Sequence, residues 1–305
     1  MSNRLVASLL LIALGARPGW TQDPPSVPKE GLAALHPGDA GLERDPRVLF
    51  VEDFESAPRT VGWMQPDGWF AGVKFEPGSG MELTDRVPAA VGKRCLQYNL
   101  KAGQKSSGGM FRLLKPGERV HLRYYRKFEK AWDWPKGYGP HDTGLYGFAG
   151  EFKAPTDTEI HVLLDFTQNA DTFVGVGTPR QQVKDWSPLL KKSIGSNPAN
   201  GNGLAWNRAK PDKIEPGKWH CVEMMVKLSR PGQSDGAIRL WVNGKLVSDA
   251  DALPLRDADH ADLKLNLLLL APYFHPGSPK DQTHWVDQVV AATEYIGPIH
   301  PVPGK

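Results

Sequence analysis

The sequence predicts an all-β fold, a two-sheet antiparallel jelly-roll sandwich. Short runs rich in β-branched and aromatic residues follow one another along the chain, separated by clusters of Gly, Pro and Asp, and this pattern is typical of sandwich strands. Hardly any segment shows a helical period. The predicted strands lie at 47–54, 94–100, 109–114, 119–128, 159–166, 172–177, 219–228, 237–244, 263–271 and 284–297.

Alternation within two of these runs indicates which side chains are buried. The apolar face of 159–166 comprises Ile160, Val162, Leu164 and Phe166. His161 and Asp165 lie on the opposite face of that run. The run 219–228 alternates in the same way. We expect one face of each strand to pack between the sheets and the other to contact water or a ligand.

The N-terminus has the composition of a cleaved secretory signal. Arg4 precedes the apolar run "LVASLLLIALGA", which is too short to cross a bilayer and is followed by "RPG". We predict a signal peptide over 1–22, a secreted or periplasmic protein, and no membrane span in the mature chain. Residues 23–46, rich in Pro, Gly and charge, are predicted to form a flexible leader. The globular domain is expected at 47–299, followed by a tail at 300–305.

The charge balance gives no reason to expect nucleic acid as a partner. The chain has 37 basic and 34 acidic residues and a formal net charge of +3. Removal of the signal brings this charge closer to zero, because Arg4 and Arg17 leave with it. Such a chain has no strong attraction for nucleic acid or an anionic membrane. We expect a monomer.

The two cysteines leave two arrangements open. Cys95 and Cys221 both lie in predicted strands of an exported protein. An oxidising compartment permits a disulfide between them, and two separate half-buried thiols are equally consistent with the sequence.

The stretch "GQSDG" at 232–236 matches the G-x-S-x-G pattern of serine hydrolases. A nucleophile elbow requires a helix after the serine, whereas Ser234 is followed by "AIRLWVNG", a predicted strand that ends in an Asn-Gly hairpin. We therefore predict a turn at Ser234 and no nucleophile.

Two motifs in the second half resemble a known family. They are "GKWHCVEMMVKLSRPGQSDGAIRLWVNGKLV" and "LNLLLLAPYFHPGSPKDQTHWVDQVVAATEYIG", and the upstream stretch "RYYRKFEKAWDWPKGYG" is similar to an aromatic strand and loop of the same proteins. Over 119–297 the chain resembles the concanavalin A-like jelly rolls of secreted carbohydrate-active proteins. Within them it is most similar to the polysaccharide lyases that act on alginate and glucuronan. The resemblance implies a polysaccharide partner.

A lyase of this kind cleaves a uronate polymer by β-elimination. It removes the proton on C5 beside a carboxylate and expels the oxygen linked to C4, so its site needs donors that neutralise the carboxylate and groups that exchange protons. Arg123, Tyr125 and Lys127 share one face of their strand, and His161 and Asp165 would join them if the polar face of their own strand lies on the same sheet. The expected catalytic residues are Arg123, Tyr125, His161 and Tyr273. The expected substrate-binding residues are Lys127, Trp132, Trp134, Lys136, His141, Tyr146, Trp186, Trp206 and His275.

The long segment 178–218 shows little periodicity, and irregular segments of that length are often functional. We expect it to form a groove wall that carries Trp186 and Trp206. In the same jelly rolls the first and last strands often hold a calcium ion, and the resemblance implies Glu55 and Asp287 as its ligands here. No organic cofactor is expected.

Two other functions remain open. A carbohydrate-binding module without catalysis would use loop tryptophans to stack on sugar rings, and the chain has ten tryptophans. A glycoside hydrolase needs two carboxylates that flank the glycosidic oxygen. The chain has no E-x-D-x-x-E string, so Glu151, Asp165 and Glu223 would have to combine across strands.

Overall fold

A computed structural model of the chain describes residues 30–56, 63–64, 80–135, 141–153, 160–166, 172–177, 203–206 and 213–302, without the side chains of 172–177 and 203–206. The first element is a short helix, α1 (Leu32–Leu35), and two 3₁₀ turns follow it at Pro37–Asp39 and Leu42–Arg44. No helix in these residues is long and apolar enough to span a membrane.

All ten predicted strands are present in the described residues, together with four that were not predicted. In chain order the strands are β1 (Val48–Glu52), β2 (Met81–Thr84), β3 (Cys95–Leu100), β4 (Met110–Gly117), β5 (Arg119–Phe128), β6 (His141–Phe148), β7 (Ile160–Phe166), β8 (Thr172–Gly177), β9 (Gly203–Trp206), β10 (Trp219–Lys227), β11 (Gly236–Val242), β12 (Lys245–Leu253), β13 (Lys264–Tyr273) and β14 (Gln282–Ala292). The four that were not predicted are β2, β6, β9 and β12.

These strands form two antiparallel sheets. Sheet A has eight strands in the order β12-β11-β10-β5-β14-β3-β2, with β1 also paired to β14. Sheet B has six, in the order β4-β13-β6-β7-β8-β9. The predicted two-sheet jelly-roll sandwich is thereby confirmed.

Side-chain alternation determines which residues form the core, as the sequence predicts. The apolar face of β7 is fully buried and belongs to one core cluster with Val222, Met224 and Val226 of β10. His161 and Leu163 on the other face of β7 are only partly buried. Sheets whose apolar faces meet in this way bury their side chains between the layers.

A buried ionic network crosses this core. The Arg126 guanidinium forms an ion pair with Asp142, and the Tyr124 hydroxyl donates to Asp142 Oδ2 at 2.5 Å. Arg126 Nη1 also donates to His284 Nδ1 at 2.8 Å. Burial and the adjacent guanidinium hold the pKa of His284 well below its usual value, so the imidazole is neutral.

Residues 30–46 correct the prediction of a flexible leader over 23–46. This part of the chain is folded, with Leu32 and Leu42 buried against Ile296 on the outer face of sheet A. The Leu32 N–H donates to the Tyr295 carbonyl at 3.0 Å. The sequence alone did not indicate this contact, because the two segments that meet are far apart along the chain. The remaining leader residues lie outside the described ranges.

The two cysteines are free and buried. Cys221 lies in β10 and Cys95 in β3, with β5 and β14 between them. Strands are about 4.8 Å apart, so the separation far exceeds the roughly 7 Å limit between the Cα atoms of a disulfide. Of the two arrangements left open, the structure has separate thiols.

The turn predicted at Ser234 is present. Ser234 is exposed between the end of β10 and the start of β11, with no helix after it. The next hairpin turns at Asn243 and Gly244, both with positive φ, which is the conformation that an Asn-Gly type I′ turn requires.

Candidate active site

Three adjacent strands of sheet B bring polar side chains together on its outer face. Tyr273 of β13 is in register with His141 of β6, and His141 is in register with Asp165 of β7. His275 follows the end of β13 and lies beside His141, with ring centroids 4.7 Å apart. We call Asp165, His141, His275 and Tyr273 the histidine cluster.

A continuous chain of hydrogen bonds links the first three members of the histidine cluster. The Nδ1 atom of His141 lies 2.6 Å from Asp165 Oδ1, and its Nε2 atom lies 2.7 Å from Nε2 of His275. The Tyr273 ring stacks on His141 with centroids 6.5 Å apart and meets His275 edge-on at 5.1 Å. Each ring is therefore fixed by its neighbour.

The electrostatics of the two histidines differ. Burial alone would lower the pKa of His141, but the Asp165 carboxylate outweighs burial and raises that pKa above its usual 6.5. Burial and the neighbouring His141 lower the pKa of His275. The cluster thus pairs a basic inner imidazole with an outer imidazole that tends to be neutral.

A β-bulge explains how this arrangement forms. The register between β6 and β7 shifts between His141 and Thr143, so one extra residue, Asp142, is accommodated there. Asp142 points inward to Arg126 while His141 pairs with Asp165 outside. Bulges of this kind re-aim side chains next to active sites.

A second aromatic pair lies further along the same face. Tyr146 and His161 are in register on β6 and β7, with ring centroids 5.3 Å apart. His161 is four residues from Asp165, which is roughly 13 Å along a strand. Gly144 lies between the two groups, and a Cβ atom there would come within 2.7 Å of the Tyr146 ring. The outer face of sheet B therefore carries two polar groups, the histidine cluster and the Tyr146–His161 pair. They are separated by Gly144, which has no side chain.

Residues 83–290, more than half of the chain, match the protein family described as polysaccharide lyase. The chain belongs to the polysaccharide lyase family. Among solved structures, an alginate lyase from Aplysia kurodai is 14% identical, with a TM-score of 0.55 over 70% of this chain and 87% of that one. An alginate lyase from Chlorella virus is 15% identical, with a TM-score of 0.56 over 70% and 91% of the two chains.

At these identities the two solved structures support the fold alone. They agree with the jelly-roll architecture of this lyase. Comparison with curated protein sequences gave no match.

The structure separates the four predicted catalytic residues of the lyase. His161 and Tyr273 lie on the outer face of sheet B, whereas Arg123 and Tyr125 lie on the outer face of sheet A. Arg123 is fully buried in an ion pair with Asp39. Arg123 and Tyr125 therefore do not share a sheet with His161, because alternation shows which residues share a strand face but not which sheet the strand joins.

The hydroxyl of Tyr125 and the ammonium of Lys127 are also engaged on sheet A. The Ile299 N–H donates to the Tyr125 hydroxyl at 2.9 Å. Lys127 Nζ lies over the rings of Trp219 and Trp285, 5.7 and 5.5 Å from their centroids. Neither side chain joins the histidine cluster, so the structure does not support Lys127 as a substrate contact there.

The predicted substrate-binding residues divide into three groups. His141, His275 and Tyr146 lie on the outer face of sheet B. Trp132 and Trp134 do not present open rings to a sugar, because both pack on Phe128 in the core. The remaining predicted contacts, Lys136, Trp186 and the side chain of Trp206, lie outside the described residues, as does most of the proposed groove wall at 178–218.

The two predicted calcium ligands are occupied by backbone amides. Glu55 Oε1 accepts the N–H groups of Lys93 and Arg94, each at 2.8 Å, and Asp287 Oδ2 accepts that of Ala90 at 2.8 Å. Calcium needs six to eight oxygen ligands, and the described part of the chain holds no cluster of three or more His, Cys, Asp or Glu side chains suited to a metal ion. These two carboxylates, as oriented, do not fit calcium, and the ion remains a prediction.

Two of the three carboxylates of the hydrolase alternative, Asp165 and Glu223, are also separated, and Glu151 is exposed just after β6. Asp165 lies on the outer face of sheet B, whereas Glu223 lies on sheet A in an ion pair with His121 at 2.9 Å. With both sheets of the sandwich between them, these two groups cannot flank one glycosidic bond.

Proposed function

We propose that this lyase is secreted and cleaves a uronate-containing polysaccharide by β-elimination on the outer face of sheet B. The observation that carries the proposal is the hydrogen-bonded chain from Asp165 through His141 to His275, with Tyr273 beside it. It is a set of proton-exchanging groups on a half-open face, which is what elimination beside a carboxylate requires. The alginate lyases with the same fold act on a polymer of this class.

His275 is the proposed base. In its neutral form it donates Nε2–H to His141 Nε2, and His141 in turn donates Nδ1–H to Asp165. His275 then accepts the C5 proton on its other ring nitrogen, Nδ1. The electrons of the C5–H bond form the C4–C5 double bond while the bond from C4 to the linking oxygen breaks. The Asp165 carboxylate stabilises the positive charge that the two imidazoles then share.

Tyr273 is the proposed acid. Its ring contacts both imidazoles, so its hydroxyl group lies on the face where the leaving oxygen must take up a proton. The substrate carboxylate needs a cation, and Lys105 lies beside the end of β13, since the Phe274 N–H donates to the Lys105 carbonyl at 2.7 Å. We assign Lys105 to the carboxylate. Tyr146 and His161 would contact a neighbouring sugar of the same polymer.

The test is the ultraviolet absorbance of the unsaturated uronate that elimination leaves behind. The protein is incubated with alginate, glucuronan and related polymers, alongside Tyr273→Phe and the matched control Tyr125→Phe, which removes the same hydroxyl from the opposite face. We expect a signal from the parent protein, a loss of about 10²–10⁴-fold in Tyr273→Phe, and parent activity in Tyr125→Phe.

Two outcomes would overturn the proposal. Full activity in Tyr273→Phe with a loss in Tyr125→Phe would place the chemistry on sheet A. No increase in ultraviolet absorbance with any uronate polymer, together with retained affinity for one of them on a polymer-containing gel, would instead indicate a carbohydrate-binding module.

A further inference from the structure

A cavity lies on the side of the molecule opposite the histidine cluster, on the outer face of sheet A. Its volume is about 710 Å³, and it is bounded by α1 and by strands β5, β10 and β11. The residues that matter for its chemistry are Leu35, Arg119, His121, Lys227, Arg239 and Trp241. None of them belongs to the histidine cluster.

Two cations in this cavity face each other directly. Arg119 of β5 and Lys227 of β10 are cross-strand partners, and like charges in that position are destabilising. Their hydrogen bonds go to backbone carbonyls, Arg119 Nε to Thr293 at 3.0 Å and Lys227 Nζ to Asp235 at 3.1 Å. Among the described residues, no carboxylate lies within ion-pair distance of either.

The other cations of the cavity are already compensated. Arg239 forms ion pairs with Asp249 at 3.0 Å and Asp251 at 2.9 Å, and Arg47 is 3.4 Å from Glu294. The lining has four cations and three carboxylates, of which Glu30 is the third. Its one excess positive charge therefore falls on the pair formed by Arg119 and Lys227, which suits one added carboxylate.

The rest of the cavity is aromatic and apolar. Trp241 packs on Tyr295 and His121, with ring centroids 5.0 and 5.8 Å away. The indole Nε1–H of Trp241 is buried and has no hydrogen-bond partner among the described residues. On the other side, the Leu35 side chain is 66% exposed at the mouth. A ligand here would meet an apolar wall, an unused donor and two cations.

We propose that this cavity is a second, non-catalytic site for an acidic oligosaccharide. A uronate sugar combines an apolar C–H face, hydroxyl groups and a carboxylate, and each has a counterpart in the cavity. The choice of ligand class rests on the proposed function. Because the two sites lie on opposite outer faces, this site holds the polymer while another part of the same chain is cut, which raises the local substrate concentration.

The test is retardation of the protein in native gels that contain alginate, with neutral dextran as the reference polymer. Tyr273→Phe is the background in every lane, so that the polymer stays intact. The test variant adds R119Q and K227Q, and the matched control adds R44Q and K218Q, which remove the same two charges from exposed ion pairs outside the cavity lining. We expect the test variant to bind alginate about tenfold more weakly and the control to bind like the background.

Equal retardation of the test variant and the background would overturn the site, and so would equal weakening in the control. Turnover is measured separately with an otherwise unmodified R119Q/K227Q variant on a short oligosaccharide, where we expect parent rates. If no uronate polymer gives an absorbance signal but R119Q and K227Q still abolish retardation, the proposed function fails and the second site stands. If turnover is normal and retardation is unchanged, only the second site fails.

Discussion

The outer faces of the two sheets carry similar polar side chains and use them differently. On sheet A, Glu223 lies in an ion pair with His121 and accepts the backbone N–H groups of Ile296 and Gly297. On sheet B, Asp165 lies in an ion pair with His141, whose side chain remains 23% exposed. A carboxylate–imidazole pair of the same kind is buried beneath Ile296 and Gly297 on sheet A and is partly exposed on sheet B.

The difference teaches that residue type does not distinguish a structural polar group from a functional one. What distinguishes them is exposure. Glu223 is buried and bonded to backbone amides, whereas the histidine cluster includes the exposed His275 and the partly exposed Tyr273. The predictions below test this contrast, beginning with the largest expected effect.

Removing the carboxylate of Asp142 should cost the most stability. Asp142→Ala leaves Arg126 buried between the sheets without its partner, and such a loss typically costs about 3–5 kcal/mol in the free energy of unfolding. Asp39→Ala leaves Arg123 equally buried on the outer face of sheet A, but the terminal segment over it can open and admit water. We expect a loss there of about 1–3 kcal/mol. Urea unfolding measures the free energy of unfolding of both variants. An equal loss in the two would contradict the contrast between the two sheets.

Asp165→Asn should lower activity by about 10–100-fold. Asp165 raises the pKa of His141, so without it the coupled imidazoles lose their proton at lower pH and form a weaker base. Since the proposed base works unprotonated, the acidic limb of the pH–rate profile should move to lower pH as the maximum falls. Glu223→Gln changes the corresponding pair on sheet A and should leave the pH profile in place. A shift in that control, or none in Asp165→Asn, would count against the assignment.

Gly144→Ala should disturb the surface between the histidine cluster and the Tyr146–His161 pair. The added Cβ would lie 2.7 Å from the Tyr146 ring and 3.0 Å from Leu163, so the Tyr146 ring must shift to make room. We expect KM for a long substrate to rise by about tenfold, because misplaced contacts weaken substrate positioning. Gly117→Ala, whose Cβ has only ordinary contacts at 3.6 Å, is the control. Unchanged steady-state kinetics in Gly144→Ala would exclude Tyr146 from the substrate path.

Lys127→Met should have the smallest effect. It removes cation–π contacts to Trp219 and Trp285, which are worth about 0.5–1 kcal/mol at exposed sites. We expect a loss of that order in thermal or urea unfolding, with full activity on the polymer. A large loss of activity would return the catalytic site to sheet A.

The fold was predictable because its signal is local. Period-two alternation in β7 and β10, together with the Asn243-Gly244 turn, determines strand faces and hairpins from neighbouring residues alone. The segment at 30–46 was not predictable in the same way. The packing of Leu32 and Leu42 depends on Ile296, which lies hundreds of residues away in the sequence.

The candidate site was predictable only in part. Tyr273, His141, His275, Tyr146 and His161 were named from their residue types and resemblance, and they do share a face. Arg123 and Tyr125 have the same residue chemistry but belong to the other sheet. Asp165 was recognised on the polar face of its strand, but its bond to His141 depends on a bulge at Asp142, and no composition or spacing signal marks that bulge.

The meeting of α1 with the residues after β14 also has a practical consequence. Residues 30 and 302 both lie on the side of sheet A, and the Gly38 N–H donates to the His300 carbonyl at 2.8 Å. A tether or fusion partner attached at either position would project away from the histidine cluster. The lyase could thus be immobilised on a bead through either position with the histidine cluster still turned toward a polymer in solution.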